Sequence, residues 1–255
     1  MKTMRDILVI DDEPLIARAV EMIFSADDMT VAVAEDATRA LQCVDESTFR
    51  LILCDIMMNG LDGFQFLEEL VSRGIDTPVV MMTGYSTVEN AVRSLNTGGA
   101  IDYIPKPFTA DELINVVRRS LRCSELVGSS DGDLNYTPCP ADYYRLGYVS
   151  WVSLETEGTA KIGVNDLFIK AVDGLNGLEW FLPGEELVQG TPCATATARN
   201  GSLHHIMCPM GGKIIEINEP AESTPSLIGK DPYFKGWLYR ILPTDPESDL
   251  KWLRL

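Results

Sequence analysis

Two adjacent aspartates, Asp11 and Asp12, close one short apolar run, and a third, Asp55, closes another. Thr83 ends the run VVMMT, and Lys106 follows the run AIDYI. Carboxylates brought together repel unless a cation joins them. Oxygen ligands that leave room for water and phosphate oxygens suit Mg²⁺. The Thr83 hydroxyl can donate a hydrogen bond, and the Lys106 ammonium adds positive charge. Phosphoryl transfer uses such a set: an oxygen nucleophile, a metal, and cations that hold negative charge as it spreads. Any one of these residues alone reads as an ordinary loop residue. Their shared position at the ends of apolar runs is what points to chemistry.

The elements that must position them alternate regularly as far as about residue 123. RDILVI (5–10), TVAVA (30–34), RLILC (50–54), PVVMMT (78–83) and AIDYI (100–104) read as short buried strands. Between the first two, Leu15, Ile16, Ala19, Val20, Ile23 and Phe24 repeat with helical period; Ala37, Ala40, Leu41 and Val44 do so after the second. FQFLEELVSR (64–73), STVENAVRSLN (86–96) and ADELINVVRRSLR (110–122) supply three more helices. Five βα units in a row predict an α/β fold with a doubly wound, five-stranded parallel sheet. Ligands of such sheets sit beyond the carboxyl ends of the strands, where the three acids, Thr83 and Lys106 all fall.

The alternation then stops. Residues 125–141 are rich in Gly, Ser, Asp and Pro and read as a linker between a first domain (1–124) and a second (142–255). YVSWVSLE, AKIGV, EWFLPG, CATATA, IIEIN and GWLYRIL, separated by Gly and Pro, make the second domain a β-rich barrel or sandwich. CATATARNGSLHHIMC reads as two strands joined at Asn200-Gly201, the favoured pair for a two-residue type I′ turn.

VIDDEP, CDIMMNGLDG, MMTGYS and YIPKPF closely resemble the fingerprints of response-regulator receiver domains, a flavodoxin-like fold, over about 1–123. The resemblance implies that a sensor histidine kinase phosphorylates Asp55. It makes Asp12 a direct Mg²⁺ ligand, with Asp11 acting on the metal and the Met57 carbonyl a further ligand. Thr83 and Lys106 would bind the phosphoryl oxygens, and Lys106-Pro107 would be a cis peptide. Thr83 and Tyr103 would form the switch that relays the change to the face built from 86–96, 100–104 and 110–122. Asn59 stands where the fingerprint usually has proline, a departure that removes no catalytic group. Met57 and Tyr85 occupy the positions that govern the dephosphorylating water, and neither suits that task, so a long-lived phosphoryl group is expected.

The second half is similar to the glycine cleavage system H protein, a lipoyl carrier. VSWV, AKIGVNDL, FLPGEELVQG, MCPMGGKIIEIN, TPSLIGKDPY and GWLYRI follow its order over 143–255, with Val149 where the family usually has histidine. The resemblance places a lipoate-bearing lysine at the hairpin tip. Counting from Pro209 puts it at Gly201, and counting from Gly190 puts it at Asn200; neither is lysine. Lys170 and Lys213 are the nearest and lie outside the hairpin. No lipoate is therefore expected. This half reads as a degenerate carrier scaffold reused to bind an unidentified protein partner.

Composition narrows the remainder. The 255 residues carry a net charge of −17, spread over both halves. No basic patch for a nucleic-acid partner emerges. No apolar run approaches the ~18 residues of a membrane span. The N-terminal stretch meets two aspartates by position 11, does not read as a signal peptide, and makes the cytoplasm the expected location. Six cysteines in no CxxC pair read as reduced core residues. His204, His205, Cys193 and Cys208 sketch a metal site, but neighbouring histidines on a strand point to opposite faces. Trp151, Trp180, Trp237 and Trp252 read as core. The protein is expected to be no enzyme beyond assisting its own phosphorylation and dephosphorylation. Signalling would expose, dock or dimerise the second half, so a homodimer belongs among the expected assemblies. Two rival readings are an accessory or carrier protein of glycine cleavage or one-carbon metabolism, which lacks its lysine, and a transcriptional regulator, which lacks a helix-turn-helix pattern.

Overall fold

Successive side chains of a strand point to opposite faces, and the first half uses both. In the computed structural model, which describes residues 3–84, 92–93, 95, 99–128 and 136–255, the chain divides into two units, Met1–Leu121 and Arg122–Leu255. Strands β1 (Thr3–Ile10), β2 (Val31–Ala34), β3 (Ser47–Asp55), β4 (Val79–Thr83) and β5 (Ala100–Pro105) form one sheet in the order β2-β1-β3-β4-β5. Every pairing in it is parallel. Ile7 and Val9 of β1, Leu51 and Leu53 of β3, Val80 and Met82 of β4 and Ile104 of β5 join one core cluster. Val20 and Phe24 of helix α1 (Pro14–Ser25) and Leu113, Val116, Val117 and Leu121 of α4 (Ala110–Gly128) pack into it. The alternate strand residues Leu8, Ile10, Ile52, Cys54 and Met81 are equally buried, as a sheet covered on both faces requires.

Capping chemistry starts the other helices. Asp36 accepts the Arg39 backbone N–H (2.7 Å) at the start of α2 (Ala37–Glu46). At α3 (Gly63–Ser72), Asp62 and Gln65 form a reciprocal capping box, a feature worth about 1 kcal/mol. The helix expected over 86–96 and Tyr85 lie largely outside the described residues. The last helix corrects the sequence reading. It does not close at 122 but runs to Gly128, so residues 125–128 are helical rather than linker. Nothing in CSELVG breaks a helix, and its apolar Leu126 is buried.

A buried ion pair ties β5 to α4. Arg119 Nε lies 2.8 Å from Asp102 Oδ2, with both side chains almost wholly shielded from solvent. Asp102 Oδ1 accepts the Tyr103 backbone N–H (2.8 Å), and Tyr103 itself is fully buried.

The second unit is antiparallel. Strands β6 (Tyr144–Leu146), β7 (Ser150–Leu154), β8 (Ala160–Val164), β10 (Glu186–Leu187), β13 (Gly212–Ile217) and β14 (Trp237–Pro243) form a six-stranded sheet in the order β10-β13-β14-β8-β7-β6. β9 (Leu175–Trp180), β11 (Pro192–Ala198) and β12 (Leu203–Met207) form a three-stranded one. Short helices α5 (Asp166–Ala171), α6 (Glu219–Ser223), α7 (Ser226–Lys230) and α8 (Pro246–Leu250) punctuate them. The strand expected around EWFLPG sits earlier, at Leu175–Trp180, because Leu182 to Gly184 leave the sheet. Trp151 is fully buried, and its indole packs so close to Gly163 that a Cβ there would lie 2.3 Å from the ring. The other three tryptophans are half-buried. All six cysteines are unbridged thiols.

The β11–β12 turn also differs from expectation. The Ala198 N–H donates to the Ser202 carbonyl (2.9 Å) and the Gly201 N–H to the Ala198 carbonyl (3.0 Å). Gly201 is left-handed (φ +84°), whereas Asn200 is not among the positive-φ residues. The loop is therefore Arg199, Asn200 and Gly201: a type I turn closed by a left-handed glycine, not a two-residue type I′ turn.

Candidate functional site

The rim of the five-stranded sheet gathers what the sequence separates. Ile10 pairs with Cys54, Asp55 with Met82, and Thr83 with Pro105. Parallel register thus brings the carboxyl ends of β1, β3, β4 and β5 level. Asp11, Asp12 and Asp55 each offer an oxygen, and the three oxygens lie within 4.8 Å of one another. Asp11, Asp55 and Thr83 are buried, and Asp12 is half-buried. Lys106 Nζ reaches back over the pocket, 2.8 Å from Asp11 Oδ2 and 3.0 Å from Asp55 Oδ2. Its backbone N–H donates to the Thr83 carbonyl (2.6 Å), and the Lys106-Pro107 peptide is cis.

Local backbone donors complete the acids' coordination. Glu13 N–H donates to Asp11 Oδ1 (2.9 Å), and Met57 N–H approaches Asp55 Oδ1 (3.4 Å). The Met57 side chain is exposed. Thr83 Oγ1 donates to the Gly84 carbonyl (3.1 Å). Gly63, the first residue of α3, sits against the Asp55 backbone: a Cβ there would lie 2.4 Å from the Asp55 carbonyl oxygen. Only glycine lets α3 start this close to the acceptor strand.

The electrostatics follow from crowding. Burial pushes the Asp55 carboxyl above the ordinary aspartate range, the Asp11 charge adds to that, and the Lys106 hydrogen bond and charge only partly offset it. Burial pulls the Lys106 ammonium down, but its hydrogen bonds and charge pairing with Asp11 and Asp55 outweigh this and hold it above the ordinary lysine range. Three carboxylates against one ammonium leave the pocket short of positive charge. Hard, closely spaced oxygen donors of this kind fit Mg²⁺. Sequence reasoning placed Asp11, Asp12, Asp55, Thr83 and Lys106 at strand ends, and the fold brings them to one rim.

It missed one contact. The Asn59 backbone N–H (3.1 Å) and side-chain Nδ2 (2.8 Å) both donate to Asp12 Oδ2. An amide close after an acidic turn is the signal, but the turn's path is not readable from residue types.

Among the described residues, the second unit shows no comparable rim. At the hairpin tip, Asn200 Oδ1 turns back to accept the Ser202 N–H (3.0 Å) and Oγ (2.7 Å). His204 meets Ser202 Oγ, while His205 meets Thr195 Oγ1, so the two histidines do not converge. Cys193 and Cys208 are fully buried neighbours, and their mutual hydrogen bond together with burial raises the Cys193 thiol; such thiols are inert. Among the described residues, the aspartate cluster is the single group arranged to hold a metal.

Comparison with known proteins agrees with both halves. Residues 7–118 match the response regulator receiver domain, and residues 143–254 match the glycine cleavage H-protein. The chain joins these two families: a receiver domain, as found in two-component response regulators, followed by a glycine cleavage H-protein domain. Over 122 residues it is 36% identical to the transcriptional regulatory protein ZraR of Escherichia coli, an alignment spanning 48% of this chain and 27% of ZraR. The receiver domain of NtrX from Brucella abortus is 41% identical, with 46% of this chain and 98% of that one covered and a TM-score of 0.44. The glycine cleavage system H protein from Mycobacterium marinum is 25% identical, covering 42% of this chain and 87% of that one, with a TM-score of 0.39. The chain thus spans about a quarter of the length of ZraR, matching it through the receiver half alone. No helix among the described residues is long and apolar enough to cross a membrane.

Proposed function

We propose that Asp55 accepts a phosphoryl group from a sensor histidine kinase and that the H-protein-like half reports this to a protein partner. The observation that carries the reading is the single Lys106 ammonium held between buried Asp11 and Asp55. An Asp55 oxygen attacks the phosphorus of a phosphohistidine protonated on its other ring nitrogen; the phosphorus–nitrogen bond breaks, its electron pair stays on that nitrogen, and the imidazole leaves neutral. Lys106 offsets charge on the phosphoryl oxygens. Asp11, Asp12, Asp55 and the Met57 carbonyl would hold Mg²⁺, which when bound supplies the positive charge that the acidic pocket lacks.

Thr83 gives up its bond to the Gly84 carbonyl to meet a phosphoryl oxygen, and Tyr103, fully buried on the neighbouring strand, is its partner in the switch. The chain is a phosphoacceptor rather than an enzyme with a separate substrate, and it works in the cytoplasm. The H-protein-like half carries no lipoate, since its tip offers an amide and a glycine where an amine is needed.

Two experiments test the reading. Incubation with a small acyl phosphate should add one phosphoryl mass with Mg²⁺ present and none after chelation. An affinity capture with phosphorylated and unphosphorylated protein should retain a partner through residues 136–255 in one state more than in the other. Equal capture in both states would remove the signalling role of that half.

A further inference from the structure

The acids of the pocket are tethered in two ways, and the tethers differ in charge. Lys106 holds Asp11 and Asp55 with an ammonium. Asp12 is held instead by Asn59, whose backbone N–H and Nδ2 both donate to Oδ2 at 3.1 and 2.8 Å. Asn59 is exposed and lies in the loop between Asp55 and α3. The receiver fingerprint's usual proline at this position has neither donor, so it offers Asp12 nothing.

We infer that Asn59 is a positioning residue that fixes the Asp12 carboxylate for the cation and thereby strengthens Mg²⁺ binding; this rests on the phosphoacceptor reading above. Asp12 is half-buried beside two other carboxylates that repel it, and an untethered side chain would swing toward water. Two donors on Oδ2 remove that freedom before the cation arrives. The tether is neutral, so unlike a lysine it fixes the carboxylate without competing with the cation. Donors to a ligand's outer oxygen orient the ligand, and their loss typically lowers metal affinity 10–100-fold. Losing the side-chain donor while the backbone N–H remains belongs at the lower end.

The test is calorimetric titration of Mg²⁺ into the metal-free full chain. Asn59→Ala, which keeps the backbone N–H, should bind about 10-fold more weakly, and Asn59→Pro, which loses both donors, more weakly still. Urea unfolding without Mg²⁺ supplies a second readout. There the cost of Asn59→Ala should vanish in an Asp12→Ala background, because the two residues then have no bond to lose. Wild-type affinity in both Asn59 variants, or an equal cost in either background, overturns the inference and leaves the phosphoacceptor reading standing. A wild-type protein that takes up no Mg²⁺ overturns both.

Discussion

Lys106 Nζ lies 3.0 Å from Asp55 Oδ2 and 2.8 Å from Asp11 Oδ2, so one ammonium serves two buried carboxylates. Removing one partner of a buried ion pair leaves charge without compensation and costs about 3 kcal/mol. Lys106→Met should lose about that much stability near neutral pH in Mg²⁺-free buffer. The sign of the pH dependence follows from Asp55, already held above its ordinary range by burial. Loss of the ammonium raises it further. A carboxyl whose folded-state value is raised favours the fold when protonated, and that contribution is lost as pH rises through the folded value. The deficit of Lys106→Met should therefore shrink on acidification, as urea melts across pH would reveal.

Gly63→Ala probes how closely α3 abuts the acceptor strand. The new methyl would meet the Asp55 carbonyl oxygen at 2.4 Å and the Ile56 Cα at 3.0 Å. Both are backbone atoms, so the strand end itself must move. Overpacking of this kind costs about 1–3 kcal/mol. The melting temperature of the receiver half should fall, and phosphoryl uptake should slow with it. A variant with wild-type stability and uptake would show that the loop yields freely.

The second unit has its own pH signature. Glu155 accepts Arg240 Nε (2.8 Å) and Thr159 Oγ1 (2.7 Å), with Lys161 Nζ at 3.3 Å. Burial pushes its carboxyl up, but these partners together outweigh burial and hold it below the ordinary glutamate range. A lowered carboxyl contributes stability above its unfolded value, ~4.3, and loses it as pH falls through the folded one. The stability difference between wild type and Glu155→Gln should be present at pH 7 and fade on acidification below that point. A difference independent of pH would place the cost in packing rather than charge.

Much of this was legible in the residues. The five βα units, the acids at strand ends and the positions of Thr83 and Lys106 follow from apolar periodicity, because a sheet buried on both faces writes its strands as continuous apolar runs. Other features were not legible. The end of α4 was hidden because 125–128 contain no breaker. The hairpin looked like a type I′ turn because Asn-Gly also suits a three-residue loop, and register decides between them. The Asn59–Asp12 bonds depend on the path of an irregular loop, which residue type does not encode.

The hairpin tip offers a direct check of the carrier question. Asn200 and Gly201 are exposed, and Asn200 spends its carbonyl on Ser202. Co-expression with a lipoylating enzyme should leave the wild-type mass unchanged. Asn200→Lys puts an amine where the backbone is not left-handed, unlike Gly201→Lys, and it is the variant expected to gain lipoate. A lipoyl mass on a wild-type peptide from 190–210 would restore the carrier reading.

Whether Asp55 is the phosphoacceptor is decided by locating the phosphoryl group. Wild type, Asp55→Asn and Asp55→Glu are incubated with a small acyl phosphate and Mg²⁺, and peptides are mapped by tandem mass spectrometry at low temperature. A single labile phosphoryl group is expected on the peptide containing Asp55, absent from both variants and absent without Mg²⁺. Equal modification of Asp55→Asn, or a phosphoryl group placed elsewhere in the wild type, would contradict it.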